Sequence, residues 1–477
     1  MNWNPTWICP ANDLGDPAAV FGTSFVFEKK ITHANLTITA MGVYEAILNG
    51  RRVGQFVMAP GWTSYHKRLQ YQEYDITDLL TNGKNEIEVT VGKGWYRSPL
   101  PGWLGCAYQD ELRSRPCGLA AQITLTFEDG SSKILSTNES WKVSDGPVRF
   151  SEIYDGEIYD AAKTPSLDQS VSIFDGPTDT LILQQGEEVC EQERLAVKKV
   201  FVTPNGETVL DFGQNMTGYV ELFVNAKAGD CVDLSFAEVM DKEGNFYTEN
   251  YRGAKAQYHY ICKDGVQTWH PSLTFYGFRY IRINDFPGGI DCVKPENFTA
   301  IAVHSNMKRT GFLSSSNTLL NQLFSNIIWG QKGNFLDVPT DCPQRDERLG
   351  WTGDAQVFVR TACLNYDAEK FFTKWLADLA SDQHDDGYVG HVIPDLLQNP
   401  QASSAWGDAA TICPWQVYLA FGNKQILKNQ YQSMKKWIDY ITSTTTTKYL
   451  WTGGTHYGDW LGLDAPSGSY KGSSNED

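Results

Sequence analysis

The chain has 477 residues, 41% of them hydrophobic and 20% charged, with a formal net charge of −17. That balance fits an ordinary folded protein of about two to four domains. It argues against a nucleic-acid partner, which needs clustered Lys and Arg, and against an anionic membrane surface. No run of about 18 apolar residues is present, so no membrane span is expected. The first residues, Met1 to Trp7, have neither the basic nor the apolar stretch of a secretory leader.

Residues 1–165 read as β. Leu36 and Ile38 alternate on one face, and Val43 to Leu48 runs into Asn49-Gly50, a hairpin signal. Glu86 to Val91 alternates after Asn82-Gly83, and Ile123, Leu125 and Phe127 alternate before Asp129-Gly130. Residues 166–305 read as a second β domain, entered through a polar junction at Asp179 to Glu188. Its strands include Tyr219 to Val224, Val232 to Phe236 and the run ending at Ile283. Arg279 and Arg282 on that last run are expected to be solvated or ion-paired.

Near residue 310 the period changes. Leu320, Leu323, Phe324 and Ile327 repeat at helical spacing after the cap candidates Ser316 and Asn317. Further helices are expected from Asp354, as N-cap, to Cys363, then through Phe371, Trp375 and Leu379, from Trp406 to Phe421, and through Leu427 to Ile441. The expected architecture is two antiparallel β-sandwich domains, 1–165 and 166–305, followed by α-hairpins over 306–477.

Between the first two of these helices lies a loop of unusual chemistry. Asp341, Arg345, Asp346, Glu347, Arg348, Trp351 and Asp354 fall within fourteen residues, with Pro339 and Pro343 at the start and Gly350 and Gly353 near the end. Prolines and glycines forbid a regular helix there. Glycosidic bond cleavage needs one protonated carboxyl and a second carboxylate. Glu347 has Trp351 as an apolar wall and Asp341 or Asp354 as a charge, both of which raise a carboxyl pKa. Arg345 or Arg348 would act the other way unless turned elsewhere, and one of them could grip substrate hydroxyls. The alternative is a structural ion-pair network, with Asp354 only a helix cap.

Composition agrees with a sugar ligand. Aromatics are 13% of the chain, including 15 Trp and 23 Tyr, and sugar rings stack on indoles while their hydroxyls pair with carboxylates and Arg. Ten Cys without a Cys-x-x-Cys read as free thiols of a reducing cytoplasm, and eight His lack ligand spacing. No metal and no cofactor are expected.

Asp341-Cys342-Pro343-Gln344-Arg345-Asp346-Glu347-Arg348-Leu349-Gly350-Trp351-Thr352-Gly353-Asp354 resembles the signature of bacterial α-L-rhamnosidases, glycoside hydrolase family 78. Ala59 to Tyr65, Gly94-Trp95-Tyr96 and Asp155 to Ala161 resemble that family's N-terminal module. Asp211 to Asn215 and Tyr276 to Tyr280 resemble its second β module. The resemblance implies an inverting hydrolase that removes terminal α-L-rhamnose from glycosides on an (α/α)6 barrel. By motif position Glu347 would be the general acid. Asp341, Arg345 and Asp354 would hold the sugar hydroxyls, and Trp351, Trp406 and Trp460 would wall the pocket. Asp408 and Asp459, beside those last two, read first as helix caps.

An (α/α)6 barrel needs twelve helices, and about five are legible. The family's catalytic base lies late in the barrel, whereas Asp464, Glu476 and Asp477 sit in poor contexts for it. The expectation is an incomplete barrel with the base beyond residue 477, so that the chain alone shows little turnover. Its exposed apolar wall would favour association, for instance into a homo-oligomer. The alternative is a non-catalytic carbohydrate-binding or structural remnant of a rhamnosidase.

Overall fold

The computed structural model describes residues 3–103, 114–397, 401–454, 456–463 and 465. Two large sheets occupy its β-rich part, one of twelve strands and one of ten among the described residues. Alternation decides which side chains go inside. In the strand Gly83–Gly92, Ile87, Val89 and Val91 are buried while Glu86 and Glu88 face outward. Leu36 stands opposite Ile123 on the neighbouring strand, and both are buried. Asn49 and Gly50 both take positive φ, +52° and +73°, as a tight two-residue hairpin turn requires.

The sheets do not change hands at one point in the chain. Val148–Glu152 and Gly156–Asp160 belong to the ten-stranded sheet, yet Gln169–Phe174 and Leu181–Leu183 return to the twelve-stranded one. Strands on both sides of residue 165 are therefore exchanged. Each large sheet also contains a parallel pair: Gly156–Asp160 with Gln257–Ile261, and Leu181–Leu183 with Leu69–Asp75. An all-antiparallel arrangement is thus corrected. Parallel partners are joined by long crossovers, which local alternation does not reveal. Leu181–Leu183 also places a strand inside the stretch expected to be a polar junction.

Five long helices follow among the described residues: α1 Thr318–Asn334, α2 Thr352–Asn365, α3 Glu369–Asp382, α4 Ala409–Phe421 and α5 Lys424–Thr444. Asn317 caps α1 by accepting from Leu319 N and Leu320 N at 2.9 and 3.3 Å. Phe371, Trp375 and Leu379, one turn apart, are buried on α3. Other apolar helix positions are not covered: Leu319, Leu323, Val357, Leu364 and Leu419 are exposed.

The stretches that suggested the resemblance meet in space. Trp62 stacks on Trp95, with centroids 5.7 Å apart. Asp211 takes two hydrogen bonds of 2.8 Å from Arg279, and Glu207 pairs with Arg282 at 2.8 Å, so both arginines are ion-paired. The first β region is clamped to α3. Lys374 donates to the Trp62 carbonyl and to Asp337 Oδ2 at 2.9 Å, while Trp62 N donates to that same carboxylate. Arg68 pairs with Asp378 at 2.9 Å, and Ser64 donates to Asp382. These contacts fix the position of the loop between α1 and α2.

Candidate active site

The loop closes on itself before α2 begins. Asp341 N donates to the Leu349 carbonyl and Leu349 N to Asp341 Oδ1, each at 3.0 Å. Arg348, with φ +53°, is fully buried and donates to four backbone carbonyls. Nη1 reaches Ile153 and Phe275 at 2.8 Å, Nη2 reaches Gln344 at 2.9 Å, and Nε reaches Arg345 at 3.2 Å. It seats the loop on the ten-stranded sheet and takes no part in the carboxylate cluster. Tyr154 adds a 2.7 Å bond from its hydroxyl to the Glu347 carbonyl.

Arg345 has the opposite role. Its Nη2 meets Asp341 Oδ2 at 2.8 Å and its Nε meets Glu347 Oε2 at 2.9 Å. Trp351 Nε1 donates to Glu347 Oε1 at 2.9 Å, and Arg252 Nη1 reaches Oε2 at 2.9 Å. Glu347 is buried. Burial, then the nearby charge of Glu347, pushes the Asp341 carboxyl up to about 7, with Arg345 opposing. Asp341, Cys342 and Glu347 present ligand atoms within 4.8 Å of one another. The Arg345 guanidinium bridges the two carboxylates, so a cationic side chain already serves them.

A cavity of about 590 Å³ opens in front of Asp341, with Asp354, Phe358, Trp406 and Trp460 also on its walls. This is within the range of small-molecule sites. Glu347 and Trp351 are linked to this cavity through Arg345 and Asp341. Asp354 is exposed at the cavity wall, yet desolvation by the surrounding protein raises its carboxyl pKa, helped by the charge of Glu347. It is not the N-cap. α2 starts two residues earlier because Thr352 N is satisfied by the His391 carbonyl at 2.9 Å and Trp351 bridges Val392. Asp354 therefore lies in the first turn, where a negative charge suits the helix dipole. A Cβ on Gly353 would approach the Trp406 ring to 2.6 Å, so glycine lets that indole lie across the start of α2.

All seven expected site residues thus fall into two adjoining groups. Asp341, Arg345, Glu347 and Trp351 form one hydrogen-bonded cluster. Asp354, Trp406 and Trp460 share the cavity with Asp341. Tyr457 was not singled out, although its ring lies 4.5 Å from Trp406, 5.3 Å from Trp460 and 6.2 Å from Trp351. Its position three residues before Trp460 was the available signal. Asp408 accepts from Trp437 Nε1 and Ala405 N, both at 2.9 Å, and makes no cap bond on α4. Asp464, Glu476 and Asp477 lie outside the described residues.

Three family models match in succession. The α-L-rhamnosidase N-terminal domain covers residues 29–197, the bacterial α-L-rhamnosidase concanavalin-like domain 201–304, and the bacterial α-L-rhamnosidase 6 hairpin glycosidase domain 308–477. An α-L-rhamnosidase of Formosa agariphila is 38% identical over 464 residues, which is 94% of this chain and 49% of the relative. The crystal structure of the native α-L-rhamnosidase from Aspergillus terreus superposes with a TM-score of 0.91 at 38% identity, covering 97% of this chain and 55% of that one. The Streptomyces avermitilis α-L-rhamnosidase complexed with L-rhamnose gives a TM-score of 0.88 at 37% identity, covering 94% and 44%. The chain spans about half the length of the curated relatives it matches. With three of its domain types in order, the chain belongs to the bacterial α-L-rhamnosidase family.

Proposed function

We propose that this polypeptide serves the hydrolysis of terminal α-L-rhamnose from rhamnose-containing glycosides, with inversion and with Glu347 as general acid. The observation that carries the reading is the Asp341–Arg345–Glu347–Trp351 cluster, joined through Asp341 to a cavity walled by Trp406 and Trp460. Indoles suit the apolar faces of a sugar, and Asp341, Arg345 and Asp354 suit its hydroxyls. An inverting enzyme holds its two carboxyl groups roughly 6.5–9.5 Å apart with a water between them. Asp341 shares Arg345 with Glu347 and offers its oxygen within 4.8 Å, closer than the spacing of an inverting pair. The base is then a carboxylate outside this cluster, in our reading beyond residue 477, and the chain alone turns over little.

A non-catalytic carbohydrate-binding remnant would keep the same grip on the sugar, and turnover measured in protein that also carries the base separates the two readings. Binding tests the shared part. L-rhamnose should change the tryptophan fluorescence of the chain, D-glucose should not, and Trp406→Ala should remove the response. An equal response to both sugars would overturn the assignment.

Our reading of the architecture is two β-sandwich domains followed by an incomplete (α/α)6 barrel. It is supported by the two large sheets, by five described helices against the twelve of six hairpins, and by exposed Leu319, Val357 and Leu419. That apolar wall supports association, for example as a homo-oligomer. A cytoplasmic location rests on the described cysteines being free thiols, several of them buried.

A further inference from the structure

We propose that Arg252, from the concanavalin-like domain, is a positioning residue for Glu347: it fixes Oε2 of the carboxyl and so places the transferable proton on Oε1. The proposal rests on the reading of Glu347 as the general acid. Arg252 follows a single 3-10 turn, Glu249–Tyr251, which is anchored by the buried Tyr251 with its hydroxyl 2.5 Å from the Gly277 carbonyl. Arg252 itself holds φ +55° and ψ −113°, a conformation that residues with side chains rarely keep. Gly253 N then donates to Asp346 Oδ2 at 3.2 Å, and a Cβ on Gly253 would come within 2.8 Å of that oxygen. The turn is thus docked on the residue immediately before Glu347. From there Arg252 Nη1 reaches Glu347 Oε2 at 2.9 Å.

The two oxygens of Glu347 are made unequal by this contact. Oε2 receives Arg252 and Arg345, two cations, whereas Oε1 receives only the neutral indole of Trp351 among the described residues. A proton on Oε2 would compete with two guanidiniums, but on Oε1 it leaves their charge-assisted bonds intact. In the acid step the Oε1 proton passes to the glycosidic oxygen as the carbon–oxygen bond breaks and its electron pair stays on that oxygen. The carboxylate that remains is already faced by Arg252 and Arg345, so both bonds strengthen as charge develops.

The test uses Arg252→Gln and Arg252→Lys with two substrates, 4-nitrophenyl α-L-rhamnoside and an alkyl α-L-rhamnoside. We expect Arg252→Gln to lower kcat/KM about tenfold or more on the alkyl substrate and less than about threefold on the activated one, with partial rescue by Lys. Equal losses on both substrates, or no loss, would overturn the proposal. Where the unsubstituted chain turns over neither substrate, as expected of a chain without its catalytic base, the contact is tested by melting. Arg252→Gln and Glu347→Gln should then give less than additive Tm shifts when combined. Additive shifts would overturn the proposal independently of turnover.

Discussion

Two ionic clusters lie within a few residues of each other and use the same side-chain types. In the clamp between the first β region and α3, Lys374 and Asp378 are 1% and 0% exposed, and the partners include the backbone of Trp62. In the loop cluster, Arg345 and Glu347 keep 28% and 10% of their side chains accessible, and the bonds run between side chains that adjoin a cavity. The contrast teaches what composition alone cannot. Carboxylates paired with cations build structure when closed against backbone, and build a site when one side opens onto space for a ligand. Arg348 and Arg345 repeat the lesson three residues apart, the first spent on carbonyls and the second on carboxylates.

The largest effect should come from the closed cluster. Lys374→Met leaves Asp337 buried without its cation and Asp378 with Arg68 alone, and should destabilise the fold by about 3–5 kcal/mol, read by chemical denaturation. A shift under about 1 kcal/mol, the range of exposed pairs, would place the clamp in solvent. Arg348→Met strands four buried carbonyls and should cost about 2–4 kcal/mol while also weakening L-rhamnose binding. Stability loss with binding untouched would separate the loop seat from the site.

In the open cluster the expected effects fall on the ligand. Trp406→Ala should weaken L-rhamnose binding about tenfold, near 1.4 kcal/mol, with little change in Tm. Calorimetry checks the first and a melt the second, and a collapse in Tm would make Trp406 core rather than wall. The remaining effect is electrostatic. The folded Asp341 carboxyl, pushed up to about 7 by burial and by Glu347, keeps a proton that the unfolded chain releases near pH 4. Between those values the folded state binds more protons, so this group lowers stability as pH rises. Asp341→Asn should flatten that slope between pH 4 and 7. An unchanged slope would mean that Arg345 keeps Asp341 ionised throughout.

Legibility in the sequence followed distance along the chain. Asp341, Arg345, Glu347, Trp351 and Asp354 lie in one local stretch, so their chemistry could be read together. The choice between Arg345 and Arg348 could not, because it depends on the carbonyls of Ile153 and Phe275, far away in sequence. Arg252 was missed for the same reason. Helix phases were legible from the 3.6 period, but the start of α2 moved to Thr352 because a distant carbonyl, that of His391, satisfies its backbone. Strand alternation was legible, whereas the two parallel pairs were set by long crossovers.

The central claim is that Glu347 delivers the proton. Its most direct test is kcat/KM for 4-nitrophenyl α-L-rhamnoside and for an alkyl α-L-rhamnoside, before and after Glu347→Gln, in protein that turns over both. The account predicts a loss of about a hundredfold or more on the alkyl substrate and a much smaller one on the activated substrate, whose leaving group needs little protonation. Equal losses on both substrates would contradict it and make Glu347 part of the sugar grip.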